Sequence, residues 1–66
     1  MKTIKAIDIL KENNKFTVRE LHSDTRKGQH YEIYDTLYSE AVAITSAIRR
    51  AVVLKIKYIG MVEEGS

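Results

Sequence analysis

The stretch that decides the fold is Asp35–Val62, DTLYSEAVAITSAIRRAVVLKIKYIGMV. Its first half carries the 3.6-residue period of a helix, and its second half alternates like a strand. Leu37, Ala41, Ile44, Ile48 and Ala51 recur at +4, +3, +4, +3, the narrow stripe of a helix laid on a core. Ser39, Ser46, Arg49 and Arg50 lie away from that stripe. Asp35, Thr36 and Ser39 are all competent N-caps, and Arg49 and Arg50 suit the negative end of the helix dipole. Continuing the wheel past Ala51 brings Lys55 into the buried stripe, so the helix is expected to end there. Read as a strand, Val52, Leu54, Ile56, Tyr58 and Val62 share one face, and Lys55, Lys57 and Glu63 take the other.

Moving outward towards the N-terminus, Gln29–Asp35 supplies a strand with Tyr31, Ile33 and Tyr34. Lys15–His22 supplies another, β-prone at its start. Between them, Ser23–Gly28 has Asp early and Gly late, the signature of a type I turn closed by a left-handed glycine. Pairing Ser23 with Gly28 sets Val18 against Ile33, Glu20 against Tyr31 and Arg19 against Glu32. A slip of one residue would oppose Glu20 and Glu32, so the first register is the expected one. It turns Phe16, Val18, Tyr31 and Ile33 inward.

Thr3–Asn13 fails as an alternating strand, because Ile4 and Leu10 fall on one parity and Ile7 and Ile9 on the other. At 100° per residue Ile4, Ile7 and Leu10 gather on one side, which predicts a helix stopped by Asn13-Asn14. The expected fold is therefore a small single α+β domain over residues 1–66 in the order α-β-β-α-β. Its three-stranded sheet would carry the long helix on one face, and residues 63–66 would fray. The alternative is a winged-helix-like arrangement, with a helix-turn-helix in Thr3–Asp24, a recognition helix near Thr45–Val52 and a wing in Lys55–Val62.

A chain of 66 residues buries a small core and gains from packing or self-association. It has no cysteine, which excludes disulfides and thiol chemistry and fits a cytoplasmic location. No apolar run is long enough to cross a bilayer, so no membrane partner is expected. The net charge of +2 falls short of a dedicated nucleic-acid binder.

No catalytic, cofactor-binding or metal-binding residue is expected. In the chosen register His22 and His30 point to opposite sides of the sheet, so a shared metal site is not expected. Glu20, Glu32, Asp24 and Asp35 have no spacing that demands acid-base chemistry, and the three glycines form no phosphate-cradling loop.

What stands out is apolar residues on outer faces. Val53, Ile59 and Met61 are placed on the polar side of the last strand, and Leu21 and Tyr34 on the outside of the hairpin; Val42 also lies off the helix stripe. These five, Val53, Ile59, Met61, Leu21 and Tyr34, are the expected protein interface. The leading expectation is a small non-catalytic regulator or inhibitor that binds protein and forms a homo-oligomer, as a dimer. The runner-up is a DNA- or RNA-binding regulator using Arg49, Arg50, Lys55 and Lys57 with Tyr58 stacking. A weaker third reading is a small anionic ligand at an oligomer interface.

Overall fold

The computed structural model of this chain describes residues 2–64. It has four strands and one helix: β1 (Lys2–Glu12), β2 (Lys15–Asp24), β3 (Gly28–Leu37), α1 (Glu40–Leu54) and β4 (Lys57–Glu63). The sheet order is β3-β2-β1-β4, with β1–β2 and β2–β3 antiparallel and β4 parallel to β1. After the β1-β2-β3 meander, α1 crosses one face of the sheet and returns the chain to the far edge. The class is α+β, with one helix on a mixed four-stranded sheet; the three-stranded α-β-β-α-β order is corrected to β-β-β-α-β. A winged helix is excluded by the same finding, since residues 2–24 form two strands rather than a helix-turn-helix.

β1 stands where a helix is expected, for two physical reasons. It is a central strand, so Ala6, Ile7, Asp8 and Ile9 are buried consecutively on both faces and polarity does not alternate. A register shift between Ile4 and Ala6 then changes the parity midway. Ile4, Ile7 and Ile9 face α1, while Ala6, Asp8 and Leu10 face away. Asn13 does adopt the left-handed conformation, at φ 53°, but it turns a two-residue β1–β2 hairpin rather than ending a helix.

The β2–β3 turn follows its chemistry. Asp24 Oδ1 accepts hydrogen bonds from the backbone N–H of Arg26 at 2.8 Å and of Lys27 at 3.3 Å, and Gly28 closes the turn at φ 74°. The register, however, pairs Asp24 with Gly28, one residue away from the expected alignment. Glu20 therefore opposes Glu32, and Tyr31 and Ile33 point away from the helix instead of inward. A second shift, between Val18 and Arg19, returns Leu37 to the helix side opposite Phe16.

Ser39 is the N-cap, its hydroxyl accepting from the Val42 N–H at 3.5 Å. The helix runs one turn past Ala51 and stops because Lys55 takes a left-handed conformation, φ 57°, that lets Lys55 and Ile56 N–H groups reach the Val52 and Ala51 carbonyls. Val52, Val53 and Leu54 are thus helical, and neither Arg49 nor Arg50 is in the last turn. The buried stripe also differs from the expected one. Ala43, Ala47 and Ala51 press on Ile7, Ile9, Phe16 and Val18, while Ala41 and Ile48 are exposed. Alanine lets the helix axis approach the sheet closely, and Leu37, Ile44, Leu54, Ile56, Tyr58 and Met61 seal the margins.

β4 contains a register shift opposite Ile7–Ile9, and Gly60 sits within it at φ 107°, a conformation suited to glycine. Of the tail expected to fray, Glu63 belongs to β4 and Glu64 donates its N–H to the Lys11 carbonyl at 3.0 Å. Residues 65–66 lie outside the described residues.

Candidate functional site

The sheet face turned away from α1 has no covering layer among the described residues. Register and alternation place Leu10, Leu21, Tyr31, Ile33, Ile59 and Val62 on it. Antiparallel sheets that face water carry polar side chains there, yet Ile33 is 71% exposed, and Tyr31, Ile59 and Val62 are also exposed.

At the centre of this face lies an ion pair. Arg19 donates from Nε to Asp8 Oδ1 at 2.9 Å and from Nη2 to Oδ2 at 2.7 Å, a two-pronged contact. Those hydrogen bonds raise the Arg19 pKa against the opposing effect of burial. The guanidinium also stacks on the Tyr31 ring, 3.8 Å from its centroid. Asp8 is 1% exposed, so this carboxylate is held entirely by its partner and the surrounding strands. The pair makes a charged core neutral and leaves the surrounding apolar side chains to dominate the face.

On the opposite side of the sheet, beside α1, a second polar group forms from residues that the expected register had separated. His22 and His30 are direct cross-strand partners with rings stacked at 5.6 Å, so the placement of the two histidines on opposite sides is corrected. His22 Nε2 lies 3.0 Å from Glu20 Oε1 and 3.7 Å from Glu32 Oε1, and His30 Nε2 lies 2.9 Å from Glu32 Oε2. Arg50 reaches down from α1 and donates to Glu20 Oε2 at 2.7 Å, with its guanidinium 4.7 Å from the centre of the Tyr34 ring. These contacts offset the repulsion between Glu20 and Glu32. His22 Nδ1 is buried without a hydrogen-bond partner among the described residues. Among the described residues no set of three or more His, Asp or Glu is arranged to hold a metal ion.

Comparison with protein-family models, curated proteins and solved structures gives no match. The chemistry of the surfaces is therefore the guide to function.

The five residues expected to form one interface are distributed over three surfaces. Leu21 and Ile59 share the open sheet face. Tyr34 stands beside the helix under Arg50, Met61 packs against the core beneath α1, and Val53 is exposed on the helix rather than on a strand. The basic group is divided as well. Arg50 is engaged by Glu20, while Arg49 borders an open groove of about 470 Å³ lined by Tyr34, Ala41, Val42, Thr45 and Ser46. Lys55 caps the helix, Lys57 begins β4, and Tyr58 is half-buried against the core, where burial raises its phenol pKa. Among the described residues no helix is long and apolar enough to cross a membrane.

The open-face apolar set was hidden by the register. Tyr31 and Ile33 alternate with His30 and Glu32 in the sequence, and the alternation alone does not say which parity meets the helix.

Proposed function

We propose that this protein is a small non-catalytic regulator or inhibitor that acts by protein–protein binding, self-associates, and uses the open sheet face as its contact for a partner protein. The observation that carries this reading is the exposure of Tyr31, Ile33, Ile59 and Val62 around a charge-neutral Asp8–Arg19 centre. A partner covering that face would bury aromatic and aliphatic side chains around an Arg already desolvated and oriented, the composition of an interface hot spot. A cytoplasmic setting agrees with the cysteine-free sequence.

Nucleic-acid binding ranks second. It draws on exposed Arg49, Lys55 and Lys57, but Arg50 is committed to Glu20 and Tyr58 lies against the core. A small anion in the groove beside Arg49 ranks third, because that groove is shallow and Arg49 is its single charged wall.

The test is capture from nuclease-treated native lysate by the intact chain, by Ile33→Glu with Ile59→Glu, and by Val42→Glu as a control on another surface. A partner protein retained by the chain and the control, and lost with the double variant, supports the reading. Capture that disappears with nuclease alone transfers the function to nucleic acid.

A further inference from the structure

β3 is an edge of the sheet. β2 pairs with one side of it, and among the described residues no strand pairs with the other. The backbone N–H and C=O groups on that outer side form a row that an extended chain can complete. Edges are guarded by lysine, proline, bulges or shortness, and the two edges of this sheet differ in these devices. β4 has seven residues, opens on Lys57 and is broken midway by a register shift, where Gly60 lies at φ 107°. β3 has ten residues, GQHYEIYDTL, with no Lys, Arg or Pro. Its regular part is bounded by the left-handed Gly28 at the turn and by Tyr34, the extra residue of the shift opposite Val18 and Arg19. Between them Gln29–Ile33 is an unguarded edge with Tyr31 at its midpoint, and Tyr31 and Ile33 are 46% and 71% exposed.

The side chains of this segment complement themselves. When two copies of β3 run antiparallel about a two-fold axis at Tyr31, each His30 stands opposite Glu32 of the other copy. Both lie on the α1 side of the sheet, so an imidazole meets a carboxylate at each end of the contact. On the open face Tyr31 meets Tyr31, and each Ile33 lies opposite Gln29 and diagonal to the Tyr31 of the other copy, within reach of its ring. The turn residues Arg26 and Lys27 come alongside the stretch of the second copy that holds Asp35, all three being exposed. Moving the axis to Glu32 opposes two carboxylates. Moving it to His30 opposes two imidazoles and brings Ile33 beside Lys27. The regular segment and the complementary register thus share one centre.

We infer that β3 pairs antiparallel with β3 of a second copy about a two-fold axis at Tyr31, joining the two sheets edge to edge into one. The inference rests on the self-association named in the proposed function and gives it a surface. The two helices lie on one side of the joined sheet and the two open faces on the other. A two-fold contact of this kind is closed, so assembly stops at two. One strand pair buries an area at the low end of specific interfaces, which makes the dimer concentration-dependent.

Sedimentation velocity of the full chain over a wide concentration series, with amide hydrogen exchange followed by NMR at both ends of it, tests this. The chain is expected to pass from monomer to dimer and no further. Along Gln29–Ile33 alternate amides point away from β2. These should gain protection as the dimer forms, while the intervening ones are protected throughout. One of Gln29 and His30 turns its N–H outward, and the exchange pattern names which. Proline at that position leaves the β2–β3 ladder whole. It is expected to weaken the dimer about 30-fold, through two interchain hydrogen bonds lost by symmetry, with the monomer still folded. Where that variant does not fold, the protection pattern alone decides. A chain that stays monomeric at the highest concentration overturns the inference. So does a dimer whose newly protected amides lie outside β3, or one that the folded proline variant forms unweakened. In each of these cases capture of a partner by the open face is untouched, and the protein-binding reading stands or falls on its own test.

Discussion

Removing the Arg19 side chain is the sharpest probe of the open face. In Arg19→Ala the Asp8 carboxylate keeps its position in a central strand, 1% exposed, and loses both of its 2.9 and 2.7 Å hydrogen bonds. An uncompensated buried charge of this kind costs about 3–5 kcal/mol. A domain of this length has roughly 3–10 kcal/mol of stability in all, so Arg19→Ala is expected to be severely destabilised or unfolded at room temperature. Asp8→Ala should be milder. Arg19 is already 17% exposed, retains the Tyr31 ring, and can turn its guanidinium towards water. The double variant should therefore be more stable than Arg19→Ala alone, since the charge left stranded is gone. Urea unfolding of the four proteins, with midpoints and slopes compared, gives the coupling as a double-mutant cycle. Single costs below about 1 kcal/mol that add within roughly 0.5 kcal/mol would refute the argument. The pair would then be an ordinary surface salt bridge.

Arg50→Ala should destabilise by about 1.5–3 kcal/mol, because Glu20 is buried, faces Glu32 across the strands and loses a charged donor. Adding Glu20→Gln should recover part of the loss in the same denaturant assay. Ala47→Leu should cost at least about 1–3 kcal/mol by forcing α1 off Ile7, Ile9 and Val18, visible as a lowered melting temperature. Ala41→Leu, on the exposed side, should leave the monomer's melt nearly unchanged. Burial, followed by the charges of Asp8 and Glu40, raises the Tyr58 pKa above its ordinary value of 10.0. The folded state thus prefers the neutral phenol. Its contribution to stability is complete below that ordinary value and is lost as the pH rises through the folded one. Tyr58→Phe should flatten the decline of the urea midpoint above about pH 10; an unchanged decline would assign it to other groups.

The class, the β2–β3 hairpin and the existence of the helix could be read from local chemistry. Asp24 and Gly28 specify their turn, and Ser39 is among the caps the sequence offers. The register could not be read, because opposing Glu20 to Glu32 is unfavourable until Arg50 arrives from 30 residues away and His22 and His30 close around the pair. β1 was illegible because a two-sided central strand has no alternation to detect, and its shift after Ile4 mimics a helical period. The helix stripe misled because alanines carry little hydrophobic weight, although their small size is what close packing on a sheet requires. Leu21 and Ile59 do lie on the face away from α1, where apolar residues beyond those the core needs are left. Tyr31 and Ile33 join them because the register is one residue away from the expected alignment, which turns both away from the helix instead of inward.

The placement of α1 on one side of the sheet and the uncovered strands on the other has a consequence for valency. The molecule is a slab about 16 Å through its thinnest dimension. With α1 laid over one broad face, a single copy presents one open sheet face among the described residues, so it is monovalent towards a partner that docks there: it can cap such a partner but cannot by itself bridge two.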